Sequence, residues 1–530
     1  MTNQSRHGTS VEAGVVEFAD NSSMAVASVV AVVPKPDLIQ ASEWDYRTIK
    51  QLGDSLRQRK VSALELLEHT IARIEALDQR LNAVVVRDFE RARRAAAAAD
   101  IALGRGDQRK LLGIPMTIKE AFNVAGLPTT WGFPQFKDFV PKEDAVVVAR
   151  AKREGAVLLG KTNVPVGLGD FQSYNEIYGT TNNPWDIGRS PGGSSGGSAA
   201  SLAAGFGPLS FGSDIGGSLR MPAHFCGVYA HKPSLGLVPF RGYGPPPLPP
   251  LAHGSDIAVL GPMARCAADL ALALDVIAGP DEECAAIGYR LSLPPARHDN
   301  LSSFRVLVID THPLVPTDSA VRTAIVRLSE QLTKAGAKVA GASTLLPDLG
   351  ESARLYMKLL GSSKSGGMSA DSYSMSERAA AALAPGDIGA QAERTRGTVM
   401  SHRDWLAIDM ARARLRQRWR LLFREWDVML VPPAAVAAFP HDHSLPLEAR
   451  HIQIDRAAYP FVDACFVWAD PATTCGLPST VAPIGRSPEG LPIGVQIVGP
   501  YLEDRTTIAF AELLEREFDG FVPPPGYGGA

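Results

Sequence analysis

Apolar residues recur along this chain in two rhythms, helical spacing of three to four residues and short continuous runs, and their alternation lays out the elements. Ile49, Leu52 and Leu56 have helical spacing, and Ser62-Ala63-Leu64-Glu65 has the form of a capping box that opens a helix through Leu77. A strand-like run over 83–86 and an Ala-rich helix over 89–103 follow. Residues 111–118 read as a buried strand that delivers Lys119 at its end, 145–153 as a helix, and 156–159 as an apolar strand. Further on, 198–204 and the stretch from Ser218 to Cys226 read as helical, with an apolar connector at Pro208-Leu209-Ser210-Phe211 between two glycine-rich loops. Extended segments are predicted at 229–233, 304–309, 428–431, 480–484 and 493–498, and helices at 321–335 and 503–517. Residues 350–425 are mostly helical and predict a semi-independent lobe or insertion. Strands interspersed with helices mean an α/β layered fold, and no internal repeat stands out.

The pattern also divides the chain. Residues 1–42 form an extension, 43–520 one large domain and 521–530 a tail. The extension's apolar run, 24–33, is too short to span a bilayer as a helix. Glu12, Glu17 and Asp20 precede it where a signal peptide carries basic residues, so Met24 stands as an alternative native start.

Composition narrows the partners. A formal net charge of -3 with 21% charged residues gives no electrostatic reason to expect nucleic acid or an anionic membrane, and small neutral partners fit better. The five cysteines, Cys226, Cys266, Cys284, Cys465 and Cys475, are scattered, odd in number and without CxxC spacing. They predict reduced thiols in the cytoplasm, with neither a disulfide framework nor a metal site.

The candidate chemistry sits in two loops, Pro191-Gly192-Gly193-Ser194-Ser195-Gly196-Gly197-Ser198 and Gly212-Ser213-Asp214-Ile215-Gly216-Gly217-Ser218-Leu219-Arg220. Glycines around serines permit sharp turns and leave backbone open to a ligand. Helical and apolar flanks mark these as ordered loops, not linkers. Together with Lys119 in Gly113-Ile114-Pro115-Met116-Thr117-Ile118-Lys119-Glu120, and with Gly476-Leu477-Pro478 and Gly490-Leu491-Pro492-Ile493-Gly494-Val495-Gln496, they resemble the amidase signature family. The likeness runs over most of the chain beyond about residue 44, and the intervals from Lys119 to Ser194 and from Ser194 to Ser218 are similar to the family's.

The resemblance implies a large, mixed, twisted sheet with helices on both faces and a relay of neutral Lys119, Ser194 and Ser218. In that relay Ser218 attacks the amide carbonyl, while Ser194 takes its proton and later hands one to the departing nitrogen. It also implies an oxyanion hole from the amides of Ile215, Gly216, Gly217 and Ser218, and a cis peptide between Gly193 and Ser194. Gly193, Ser195, Asp214 and Arg220 are supporting residues, the last two as a buried pair. Phe136, Phe171, Tyr174 and Trp468 are candidates for the substrate pocket. Implied partners are a small amide and water, in a homodimer, with no cofactor. The expected activity is hydrolysis of a neutral aryl or acyl amide, with esters as further substrates. Two departures from the family pattern are Glu120, where many members carry Asp, and Thr473, where members often have Asn.

Other readings have literal matches. A glutamine amidotransferase A-type subunit that works on aminoacyl-tRNA is the runner-up within the family. Gly155-Ala156-Val157-Leu158-Leu159-Gly160-Lys161-Thr162 fits the P-loop expression, but its apolar interior belongs in a strand. Gly192-Gly193-Ser194-Ser195-Gly196 fits the nucleophile elbow of an α/β-hydrolase esterase, with Asp427 and His441 as partners, yet a turn-rich loop precedes it. His224 and His231 read as core histidines, and His441-Asp442-His443 as a solvated loop.

Overall fold

The computed structural model describes residues 42–528 except 248–253, 284, 285 and 287. Nearly all of the expected extension, with its run 24–33 and Met24, lies outside the described residues, as do Cys284 and the end of the tail. Eleven strands of the described residues form one mixed sheet: β1 (Val84–Arg87), β2 (Pro115–Lys119), β3 (Val157–Thr162), β4 (Leu209–Asp214), β5 (Tyr229–Lys232), β6 (Val259–Ala264), β7 (Arg305–Val308), β8 (Lys338–Ala340), β9 (Val428–Val431), β10 (Ser479–Arg486) and β11 (Pro492–Val498). Their order across the sheet is β1-β3-β2-β4-β6-β5-β10-β11-β9-β7-β8. β3, β2 and β4 are parallel, as are β9, β7 and β8, and the strands between pair antiparallel.

Burial explains why these strands read as continuous apolar runs. β2, β4, β5, β6, β9 and β11 are buried at every position, which requires cover on both faces. Alternate residues of β9 enter two separate cores: Val428 and Leu430 join one, Met429 and Val431 the other. Helices supply those cores. Ala63–Leu81 starts with the expected capping box, Ser62 Oγ accepting from Glu65 N, and loss of such a cap costs about 1 kcal/mol.

Three expectations change. The connector around Leu209 is strand β4, paired with β2 and β6, and the polar Gly212-Ser213-Asp214 at its end disguises it. The helices Leu349–Ser365, Ala370–Ala381, Ala390–Thr398 and His402–Glu425 do not stand apart, because the described residues all fall in one compact unit. The expected tail is anchored: the Tyr527 carbonyl accepts from Tyr46 Oη at 2.7 Å and from Arg73.

Parallel pairing of β2 with β4 brings their carboxyl ends to one edge of the sheet. Lys119 ends the first strand and Asp214 the second, so the two glycine-rich loops meet there. Crevices outside the carboxyl ends of strands are where open α/β sheets take ligands. No helix among the described residues is long and apolar enough to cross a membrane.

Candidate active site

Lys119 is fully buried, and its Nζ has three hydroxyl neighbours: Ser194 Oγ at 2.7 Å, Ser213 Oγ at 2.9 Å and Ser195 Oγ at 3.0 Å. Burial pushes its ammonium well below the usual lysine range, while the Asp214 charge opposes the shift. Desolvation therefore favours an uncharged amine here. Tyr243 Oη donates in turn to Ser213 Oγ, and its ring is wedged against Phe122 and Trp131. Ser195 Oγ lies 3.4 Å from the Ser213 carbonyl. Neither Ser213 nor Tyr243 is among the residues expected from sequence. Ser213 lies inside the second glycine loop and is visible there, but nothing local ties Tyr243 to Lys119.

The first loop is shaped by Gly193. A Cβ there would stand 2.3 Å from the Asp170 carbonyl oxygen, and the Gly193–Ser194 peptide is cis. The second loop is organised by Asp214. Its carboxylate accepts from Gly217 N at 2.9 Å and Leu219 N at 3.0 Å, and from Arg220 at 3.0 and 2.7 Å. Burial alone would raise this carboxyl, but the Arg220 charge and these hydrogen bonds bring it down to about 2. Arg220 also donates to the Ala469 carbonyl, to Gln496 and to Thr473 Oγ1 at 2.7 Å. Thr473 is thus a partner of the buried arginine.

The Gly217 amide is committed to Asp214, which corrects the expectation that it faces an oxyanion and leaves Ile215, Gly216 and Ser218 as the candidate donors. Gly217 has φ +103°, a conformation that a side chain strains. Ser195 N donates to the Ser218 carbonyl at 3.2 Å, which joins the two loops. Among the described residues Ser218 Oγ makes no hydrogen bond to Ser194 Oγ, so the geometry closes the Lys119–Ser194 link and leaves the Ser194–Ser218 link open.

The walls near Ser218 come from distant segments. Phe466 lies against Gly216, and Phe171 and Ala469 lie against Gly217. Phe171 and Phe466 pack at 4.6 Å. Tyr356, from helix Leu349–Ser365, donates to the Ile215 carbonyl at 3.0 Å. Of the other pocket candidates, Tyr174 stacks on His443 at 3.7 Å and accepts from Arg450 at 2.9 Å. Phe136 sits on a short turn with its ring against Phe133. Trp468 is a core residue, wholly buried with its ring against His312. Phe466 and Tyr356 carry no signal in the sequence, since their proximity depends on long-range packing.

The literal motif matches take other roles. Gly160, Lys161 and Thr162 fall within β3, where Lys161 Nζ donates to Thr129 Oγ1 and to the Pro128 carbonyl, so this stretch is a buried strand and not a phosphate loop. Ser194 faces a lysine, whereas Asp427 is held by Arg305 and Arg297. His224 accepts from Gly494 N through Nδ1, and His231 lies between Thr480 and Asp504, both as core residues. The 441–443 loop is more engaged than a solvated one, with Gln172 bonded to both the amide and carbonyl of Asp442. Glu120 accepts from Thr130 N and Trp131 N and so serves the turn after β2. Four of the cysteines are described, and all four are unpaired and buried.

An amidase family model matches residues 65–508. The chain is 32% identical over 505 residues to fatty-acid amide hydrolase 2 of Homo sapiens, covering 89% of each chain. It is 31% identical to indoleacetamide hydrolase of Bradyrhizobium diazoefficiens, covering 89% of this chain and 87% of that one. The A-type subunit of the glutamyl-tRNA(Gln) amidotransferase of Roseiflexus castenholzii is 32% identical, with 90% and 97% covered. Among solved structures, the peptide amidase of Stenotrophomonas maltophilia superposes with a TM-score of 0.71 at 26% identity, covering 91% of this chain and 99% of that one.

Proposed function

The chain belongs to the amidase family, enzymes that hydrolyse amides at the carbon–nitrogen bond, and we propose that it cleaves a small carboxylic amide through an acyl-enzyme on Ser218. The observation that carries this reading is the 2.7 Å contact between buried Lys119 Nζ and Ser194 Oγ, in a cluster of hydroxyls. A neutral amine has two N–H groups and one lone pair, so three hydroxyl neighbours suit it when one of them donates. Ser195 has the Ser213 carbonyl for its hydrogen, and Ser213 already receives Tyr243. The relay uses Ser194 as the hydroxyl that donates to the lysine, which leaves its oxygen lone pairs to accept from Ser218.

The reaction follows. A rotation of the Ser218 hydroxyl toward Ser194 completes the relay. Ser218 Oγ bonds to the carbonyl carbon as its proton passes to Ser194 Oγ and the Ser194 proton passes to Lys119. The carbonyl π electrons move onto oxygen, toward the amides of Ile215, Gly216 and Ser218. Each well-placed donor of this kind is worth about 3 kcal/mol in the transition state. The carbon–nitrogen bond then breaks as Ser194 protonates the nitrogen and recovers a proton from Lys119. Water repeats the sequence on the acyl-Ser218 ester, so amide and water become carboxylic acid and amine. An ester can enter the same path because its leaving group is better. The rims of Phe171, Phe466 and Ile215 suit an acyl or aryl group, and we place the protein in a reducing, cytoplasmic compartment, as a homodimer, on its cysteine usage and family likeness.

A panel of amides and anilides tests this reading with wild type and Ser218→Ala. Turnover and a covalent acyl adduct in the intact mass are expected from wild type alone, and an adduct on the alanine variant would remove Ser218 from the role.

One observation favours the runner-up, an amidotransferase A-type subunit that draws ammonia from glutamine. Arg394 lies 5.8 Å over the Phe466 ring, its Nη1 makes no hydrogen bond, and Glu448 is 3.9 Å away. Lys364 stands nearby, lowered to about 8 by burial with the Arg394 charge adding to the effect. Such cations could take the carboxylate of a glutamine. Release of ammonia from glutamine, with a raised KM in Arg394→Gln, is what that reading requires.

A further inference from the structure

Away from Ser218, a cleft of about 530 Å³ opens along the carboxyl-terminal half of helix His402–Glu425. This is within the size range of small-molecule pockets. Arg416, Arg420 and Arg424 lie at i, i+4 and i+8, and all three line the cleft. Residues so spaced share one face of a helix, and like charges there repel. None of the three has an ion-pair partner among the described residues, and Arg420 donates only to the neutral Gln417 side chain at 3.4 Å.

The lining's single carboxylate, Glu503, is engaged by Arg297 at 2.6 and 2.8 Å. Arg297 in turn is balanced by Asp427 at 3.0 Å. The three helix arginines therefore leave the cleft with an uncompensated positive charge. A favourable helix dipole accounts for Arg424 in the last turn but falls off before Arg416, two turns earlier.

The remaining walls are mostly apolar, with Gln417 and Tyr501 as the polar exceptions. Trp419 and Phe423 stack at 6.0 Å on the helix side, and Leu235 and Leu477 close the opposite side. Trp419 is 1% exposed, and its indole N–H has no acceptor among the described residues. Guanidinium groups pair with carboxylates in a planar, two-point geometry, and a mixed apolar and cationic wall selects a ligand with both characters.

We propose that this cleft is a second binding site, for a small organic anion that carries a carboxylate on an apolar body. The acid released by amide hydrolysis belongs to this class. The ligand's identity as that acid rests on the proposed reaction, whereas the cleft and its charges stand without it.

Calorimetric titration of the full-length Ser218→Ala chain with 2-naphthoate, and with 2-naphthalenemethanol as its uncharged counterpart, tests the proposal without turnover. Naphthoate is expected to bind, to weaken as salt rises, and to weaken by about tenfold or more when Arg416→Gln and Arg420→Gln are added together. Arg420→Glu, an exposed change that folding tolerates, is expected to act in the same direction. The wild-type background should keep its kcat with either change. Absence of naphthoate binding, equal binding of the alcohol, or an isotherm unmoved by the arginine variants would each overturn the proposal. The last result would assign the ligand to the Ser218 site.

Discussion

Removal of the Ser213 hydroxyl tests whether the lysine is held as an uncharged base by its neighbours. Ser213→Ala deletes one of three contacts on Lys119 Nζ, the one at 2.9 Å, and strips Tyr243 Oη of its acceptor. A lost hydrogen bond costs about 1 kcal/mol net, and a buried hydroxyl without an acceptor about 1–3 kcal/mol. Tyr243 is 7% exposed and packed against Phe122 at 4.7 Å and Trp131 at 5.1 Å, so it has little room to reach water. The expected loss of stability is therefore about 2–4 kcal/mol. Tyr243→Phe removes the donor instead and leaves Ser213 bonded to Lys119, a loss of about 1 kcal/mol. In the double variant the tyrosine hydroxyl is gone and no longer orphaned, so it should be less destabilised than the two single losses added, by about 1–3 kcal/mol. Denaturant unfolding of the four proteins measures that coupling. In parallel, kcat on an anilide should drop by about tenfold in Ser213→Ala, as a less well held lysine loses about 1.4 kcal/mol of its alignment with Ser194, while KM stays level. Additive stabilities, or a raised KM with unchanged kcat, would refute the argument.

Three further outcomes follow from the same site. kcat/KM should rise with pH through the depressed Lys119 pKa and then level, and Lys119→Arg should be inactive because a guanidinium keeps its proton. Between the folded and unfolded lysine pKa the unfolded chain binds the extra proton, so the Lys119 contribution to stability rises with pH across that window, as unfolding at several pH values checks. Asp214→Asn leaves Arg220 charged and buried, and should cost about 3–5 kcal/mol and most of the activity. In the parent, the contribution of Asp214 is present above its unfolded pKa and is lost as pH falls through about 2, so the variant's stability should be flatter in acid. Gly217→Ala forces a side chain into φ +103° and should lose about 1–2 kcal/mol, with a fall in kcat on the amide panel because the Ser218 loop must move.

Local chemistry makes much of this protein legible in its residues alone. Continuous apolar runs mark strands such as Val157–Thr162 and Val428–Val431, because a strand covered on both faces has no polar side to show. The glycine-rich loops and Lys119 stand out because a backbone that turns sharply, and a charge at the end of an apolar strand, are costly unless used. Strand Leu209–Asp214 is hidden for the opposite reason: most of its positions are glycine, serine and aspartate, which local preference assigns to turns.

Tertiary structure alone decided which groups meet. Tyr243 comes to Ser213 across 30 residues, Tyr356 to Ile215 across 141, and Arg220 to Gln496 across 276. The spent Gly217 amide and the open Ser194–Ser218 link are likewise properties of three-dimensional hydrogen bonding that no spacing in the chain encodes. The sequence by itself determined the elements and the chemically able residues, because backbone preference and apolar periodicity act over a few neighbours. The electrostatic state of Lys119 and the walls around Ser218 were settled only on folding, because desolvation and packing depend on everything that closes over a group, whatever its distance along the chain.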